Sequence, residues 1–228
     1  MSDLVRHAWA IARKDLLLEF RTRTAILSAA VFTALVLVVF NFGRDPTAIP
    51  TLTIAPSILW VTFSFAGMVA LNRAFALELE NQALEGLLLA PISRYSLYLG
   101  KLAANLVFVA TVETIGLLLF ALFFDVAIWR VIGPLAGVIA LATVGFIAVG
   151  TLFSAMVIRT RFAELMLPVL LLPFLIPPLV WAVQVTGALL AAQPRPLGEV
   201  AGSLKLLAAY DIVFVVLATF LFPATVEQ

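Results

Sequence analysis

Cysteine is absent from the 228 residues, and histidine occurs once, at His7. Without thiols there is no disulfide framework, thiolate metal site, redox pair or covalent haem-attachment motif. With a single imidazole, nucleophile–base constellations are missing as well, and no metal site is expected. Charge is scarce: 14 Lys+Arg and 13 Asp+Glu make up 12% of the chain, where a soluble domain carries about 25%. The formal net charge of +1 offers nucleic acid nothing to hold. No GxxxxGK[ST] phosphate loop occurs, so ATP hydrolysis by that route is excluded and any energy comes from an ion gradient or a second protein.

What fills the chain is apolar: 64% of the residues are hydrophobic. An exterior so poor in charge cannot face water, so the excess faces lipid. Cutting the chain at its charged residues leaves uncharged windows of 20 residues (Thr24 to Gly43), 27 (Pro46 to Asn72), 28 (Val131 to Ile158) and 30 (Leu165 to Pro194). Two more, Leu102 to Phe124 and Leu206 to Val226, hold one carboxyl each, Glu113 and Asp211. A helix needs about 20 apolar residues to cross a bilayer, so six spans are expected, near 25–42, 51–72, 102–124, 132–157, 165–182 and 206–222. Alternating ten-residue strands of a β-barrel are not seen. The first window is too long and too late for a cleaved signal peptide. The chain reads as one all-α transmembrane domain over 1–228.

Orientation follows from Lys and Arg. Ten (Arg6, Arg13, Lys14, Arg21, Arg23, Arg73, Arg94, Lys101, Arg159 and Arg161) fall on the side of both termini. Four (Arg44, Arg130, Arg195 and Lys205) fall on the other. The ten-rich side is expected to be cytoplasmic.

Two cytoplasmic segments differ from ordinary loops. In LVRHAWAIARKDLLLEFRTR, Trp9, Leu16 and Phe20 share a helical stripe beside Arg6, Arg13, Lys14 and Arg21, and Glu19 can pair with Arg23. This is the pattern of an interfacial helix, though a plain basic flank has the same charges. Between spans two and three, residues 76–90 place Glu78, Asn81, Gln82 and Glu85 on one arc, with Leu84, Leu87 and Leu88 on the apolar side, interrupted by Glu80. Pro91 stops this helix, and Ser93 caps the next, which carries Arg94 and Lys101 toward span three. Such a helix can transmit force from a docked partner or can be a solvated connector.

Inside the spans, Glu113 near mid-window costs about 2.5–3.5 kcal/mol on insertion scales and should turn into the bundle or a dimer interface, hydrogen-bonded or protonated. Asp211, beside Tyr210, is expected closer to the outer face. Asn72, Asn105 and Gln184 are candidates to bridge helices. Pro168, Pro173, Pro177 and Pro178 each remove a backbone donor, and the carbonyls they free need partners at membrane depth. We therefore expect a fifth span ending near Ala182, then a re-entrant or interfacial outer segment before Leu206. Gly133 and Gly137 permit close helix approach.

The stretch Ile54 to Lys101, with Ile54-Ala55-Pro56, Leu71-Asn72-Arg73, Leu84-Glu85 to Leu88 and Ala90-Pro91, resembles cytochrome c maturation protein B, also called haem exporter protein B. The proline-rich Leu167 to Ala182 and the KDLLLEFR start resemble that family too. The resemblance implies a six-span permease of ABC-2-type architecture in a bacterial inner membrane, without a catalytic site and without a bound cofactor. It implies ATP hydrolysis by a separate subunit, maturation protein A, docked on a coupling helix at 76–90. Glu78, Glu80, Leu84, Glu85, Leu87, Leu88, Pro91 and Arg94 are the residues concerned. It implies two permease copies, maturation proteins C and D, and a periplasmic haem chaperone E, with haem an indirect substrate.

Haem iron takes His, Met, Cys or Tyr ligands. His7 lies on the wrong side for a periplasmic acceptor, and Met68, Met156 and Met166 read as packing or lipid-facing residues. Haem passage by apolar contact and ATP-driven release of the loaded chaperone both stay open. So do a permease for another substrate, such as a drug or a polysaccharide, and a secondary transporter using Glu113 as a proton carrier.

Overall fold

Within hydrocarbon a backbone satisfies its own polar groups only as helix or closed barrel, and the apolar windows here take the first solution. A computed structural model describes residues 2–45, 47, 50–73, 90–157, 160, 162–191, 193 and 195–226. Among them are seven α-helices and no strand: α1 (Ser2–Thr22), α2 (Thr24–Gly43), α3 (Thr51–Arg73), α4 (Arg94–Phe124), α5 (Ile132–Val157), α6 (Ala163–Leu190) and α7 (Ala201–Val226). A short 3-10 turn, Ile128–Arg130, joins α4 to α5. Helices α2 to α7 are each long and apolar enough to cross a membrane. The segment 76–90, expected to be a coupling helix, lies, apart from Ala90, outside the described residues, and with it Glu78, Glu80, Leu84, Glu85, Leu87 and Leu88.

One boundary follows the expectation and two differ from it. Helix α4 starts at Arg94, eight residues before the apolar window, where Ser93 was expected to cap it: the Ser93 side chain accepts from the Tyr95 amide at 3.2 Å. Helix α6 passes Ala182 and runs to Leu190, so the expected re-entrant segment is instead the last turns of a single helix. Its prolines lie between 168 and 178, and beyond them the backbone donors are intact. Helix α7 correspondingly begins at Ala201 rather than Leu206.

Helix α1 is separated from α2 by Arg23, which adopts a left-handed conformation (φ 56°). The Arg23 amide still donates to the Glu19 carbonyl at 2.8 Å, but among the described residues no ion pair joins the two side chains, and the buried Glu19 Oε1 has no hydrogen-bond partner there. The helix lies along the start of α4, burying Ile11 and Ala12. Gly100 makes this approach possible: a Cβ there would stand 2.7 Å from the Ala8 carbonyl and 2.8 Å from the Ile11 Cβ. Trp9, Leu17 and Phe20 stay exposed on α1, as an interfacial helix requires, while Leu16 is half-buried.

The bundle has an inside and an outside. In α3 and α5, 72% of the most apolar window is buried, against 22% in α2 and 28% in α6 and α7. Helix α5 is the hub, packed on α3, α4, α6 and α7. The core divides into two clusters along the helices. One gathers Leu71, Leu97, Tyr98, Val112, Phe146 and Phe222 toward the end that α1 covers. The other gathers Leu37, Leu59, Leu117, Phe120, Ala142 and Leu207 toward the opposite end.

Candidate functional site

The seam between the two apolar clusters is where the polar side chains of the spans meet. Glu113 falls between Val112 of one cluster and Leu117 of the other, and Thr143 falls between Ala142 and Phe146. Both are buried. The Thr143 hydroxyl donates toward the two carboxyl oxygens of Glu113, at 2.8 and 2.9 Å. Glu113 stands eleven residues before the end of α4 and Thr143 eleven after the start of α5. At about 1.5 Å per residue, each is about 16 Å from that end of its helix, half of a hydrocarbon core about 30 Å thick.

Glu113 and Thr143 separate two spaces. On the bundle side, together with Ser64 and Trp60, they line a cavity of about 20 Å³, room for about one water with polar partners to hold it. On the outer side they floor a largely apolar groove of about 450 Å³ between α4 and α5, walled by Ala110, Thr114, Ala136 and Ala140. Gly133 and Gly137 lie along this same helix with nothing within 4 Å of a Cβ built at either. Among the described residues they therefore serve no close helix contact.

Asp211 corrects an expectation. Rather than lying near the outer face, it is buried at the same depth as Glu113, ten residues into α7. Its carboxyl rests on the backbone of Gly145, where any Cβ would collide with it and would stand 2.7 Å from the Tyr210 ring. Its Oδ1 has no hydrogen-bond partner among the described residues. The cause is tertiary: α7 packs closely on α5, and the glycine leaves room for that side chain. Two acids thus flank positions 143 and 145 of α5 from different sides.

Tyr210 answers the proline problem in α6. Pro178 has no amide hydrogen to give the carbonyl four residues back, that of Phe174. The Tyr210 hydroxyl donates to that carbonyl instead, at 2.7 Å.

The other candidates are distributed. Asn105 donates to Thr151 at 3.0 Å, tying α4 to α5, and Ser203 donates to Gln184 at 3.0 Å, tying α7 to α6. Asn72 is half-buried beside Leu71, whose carbonyl accepts from Ser154 at 2.6 Å. Pro91 is exposed ahead of α4, and Arg94, in its first turn, is engaged rather than free. Helix α5 thus offers Thr143, Gly145, Thr151 and Ser154 as successive contacts to polar groups of three helices, α4, α7 and α3.

Sequence reasoning missed Lys101, read only as a topology charge. It is 1% exposed and pairs with Asp15 of α1 at 2.9 Å. A lysine directly abutting the apolar window Leu102 to Phe124 was the available signal. Tyr98, which donates to the Ala148 carbonyl at 3.1 Å, and Thr143 gave none, because a tyrosine or threonine in a span has no sequence mark of its partner.

A protein-family model described as CcmB protein matches residues 6–228. Heme exporter protein B of Rhodobacter capsulatus is 28% identical over 199 residues, covering 85% of this chain and 89% of the relative. The protein of that name from Pseudomonas aeruginosa is 28% identical over 182 residues, 80% and 79% of the two chains. That from Bradyrhizobium diazoefficiens is 26% identical over 229 residues, 96% of each. Because the family match takes in all six apolar helices and every polar contact of the mid-membrane seam, this chain belongs to the CcmB protein family.

Proposed function

We propose that the chain is the membrane-spanning, non-catalytic subunit of an ATP-driven complex that exports haem or releases a haem-loaded chaperone during c-type cytochrome assembly. The observation that carries this reading is the family match over residues 6–228, joined to the name its relatives carry, heme exporter protein B. Six apolar helices without a phosphate-loop motif suit a subunit that borrows its energy. ATP hydrolysis is assigned to a partner, maturation protein A, seated on residues 76–90. Maturation proteins C and D, the chaperone E and a second copy of this chain complete the assembly. Both termini face the bacterial cytoplasm, by the ten-to-four distribution of Lys and Arg. Haem is handled by apolar contact or indirectly, since His7 lies on α1 and Met68 is packed in the core.

Coupling is the part to test. Glu85 lies on the polar arc of residues 76–90 and Leu84 on its apolar side. A charge placed unpaired in a packed interface costs several kcal/mol, enough to lower affinity by orders of magnitude. Glu85→Lys or Leu84→Asp should abolish co-purification of the ATPase and cytochrome c maturation while membrane insertion is kept. Full partner binding and full maturation in both variants would reduce residues 76–90 to a connector.

A further inference from the structure

Helix α1 carries four basic residues, Arg6, Arg13, Lys14 and Arg21, against three acidic ones, Asp3, Asp15 and Glu19, so by sequence it is close to neutral. The fold sorts these charges. Asp15 turns toward α4 and pairs with Lys101 at 2.9 Å and with Lys14 at 3.0 Å. Glu19 is half-buried, with its Oε1 covered. Arg6, Arg13 and Arg21 are exposed. Among the described residues no hydrogen bond or ion pair engages the side chains of Arg13 and Arg21, and Arg6 has only the exposed Asp3, at 3.1 Å. A near-neutral helix thus presents a basic outer face.

That face is apolar between its charges. At about 100° per residue, Trp9, Phe20, Arg13, Arg6 and Leu17 follow one another around the helix within about 80°. Trp9 is 66% exposed, Leu17 58% and Phe20 42%, while the opposite side buries Ile11 and Ala12. The level of the helix is set by its contacts. Gly100 meets Ala8 and Ile11, Lys101 meets Asp15, and both directly precede the apolar window Leu102 to Phe124. At its other end only Arg23 separates α1 from the apolar helix α2. Helix α1 therefore crosses α4 at the edge of the hydrocarbon layer. We infer that its outer face binds anionic phospholipid headgroups, the arginines pairing with the phosphates while Trp9, Leu17 and Phe20 enter the acyl boundary. A guanidinium matches a phosphate in geometry as well as charge. An acidic protein surface would also suit the arginines, but tryptophan at headgroup level and apolar side chains interleaved with bases favour lipid. This goes beyond the export reading and does not depend on it.

The test reconstitutes the full chain in vesicles of phosphatidylcholine and phosphatidylglycerol, with one lipid or the other carrying brominated acyl chains. Subtracting the quenching seen in Trp9→Phe leaves the part that belongs to Trp9. A basic side chain near an anionic membrane surface tightens binding about fivefold, so the wild type should favour phosphatidylglycerol at Trp9 by at least about fivefold at low salt. The preference should fall toward unity at about 1 M salt. Replacing Arg6, Arg13 and Arg21 together by Gln should bring it within about twofold of unity, on the same scale. Should that variant insert wrongly, Arg13→Gln carries the test with at least about half of the preference lost. Arg13→Lys should keep most of it, and Lys205→Gln, an exposed base near the opposite end, should leave it unchanged. Phosphatidylglycerol retained by the purified chain, read by mass spectrometry, should follow the same order. Equal quenching by the two lipids in the wild type, a preference that survives the triple variant, or equal loss in Lys205→Gln overturns the inference. Trp9 unquenched by either lipid overturns it too and gives the face to a protein partner. Loss or retention of haem export alters none of these readouts.

Discussion

The hydroxyl of Tyr210 has one contact that phenylalanine cannot replace, the 2.7 Å hydrogen bond to the Phe174 carbonyl. Tyr210→Phe keeps the ring, and with it the stacking on Phe214 at 4.3 Å and the edge contact with Trp181 at 6.5 Å. The loss is therefore one acceptor left unpaired beside Pro178. Such an acceptor costs about 1–3 kcal/mol in a soluble core, whereas interhelical hydrogen bonds inside membranes average about 0.6 and reach about 1.7. We expect about 1–1.5 kcal/mol, near the upper membrane values, because the proline denies the carbonyl its own helical donor. The decisive background is Pro178→Ala, which returns an amide hydrogen to the position that should bond Phe174. There, Tyr210→Phe should cost little, and the double-mutant cycle should show a coupling of about 1 kcal/mol. Stability is read from denaturant titration of the purified chain followed by tryptophan fluorescence. Equal losses in the two backgrounds would refute the reasoning, since Tyr210 would then act through packing alone.

Asp15→Asn should loosen α1 from the bundle. Removing one partner of a fully buried pair costs about 3–5 kcal/mol, and Asp15 keeps 16% exposure against 2% for Lys101, so about 2–3 is expected; faster tryptic cleavage after Arg21 or Arg23, slowed again by adding Lys101→Met, is the measurement. Gly145→Ala should destabilise by about 1–3 kcal/mol through overpacking against Asp211 and Tyr210. Gly137→Ala, where a Cβ meets nothing within 4 Å, should be neutral or stabilising by up to about 1 kcal/mol; thermal unfolding of both variants in detergent checks the contrast, and equal effects would contradict the α5–α7 packing.

Much of the architecture was legible from composition because lipid imposes a single rule. Where water is absent the backbone must bond to itself, so apolar windows of 20 residues or more become helices, and six such windows, four uncharged and two with one carboxyl each, become six helices long enough to span. The cap at Ser93 was equally readable, since capping is local chemistry between neighbours in sequence. What lay between helices was not. A helix apolar on every side gives no period from which to read its inner face, so the depth and direction of a polar side chain depend on the neighbour it meets. Asp211 was placed too near the surface because only the fit of α7 on Gly145 buries it. Lys101 counted as a topology charge until α1 folded back to supply Asp15. The prolines announced unpaired carbonyls, yet only the packing of α7 on α6 decided that Tyr210 would meet the one at Phe174. Arg44, an ordinary loop arginine by sequence, lies over the Phe124 ring, a contact that only the placing of the end of α4 beside the end of α2 supplies.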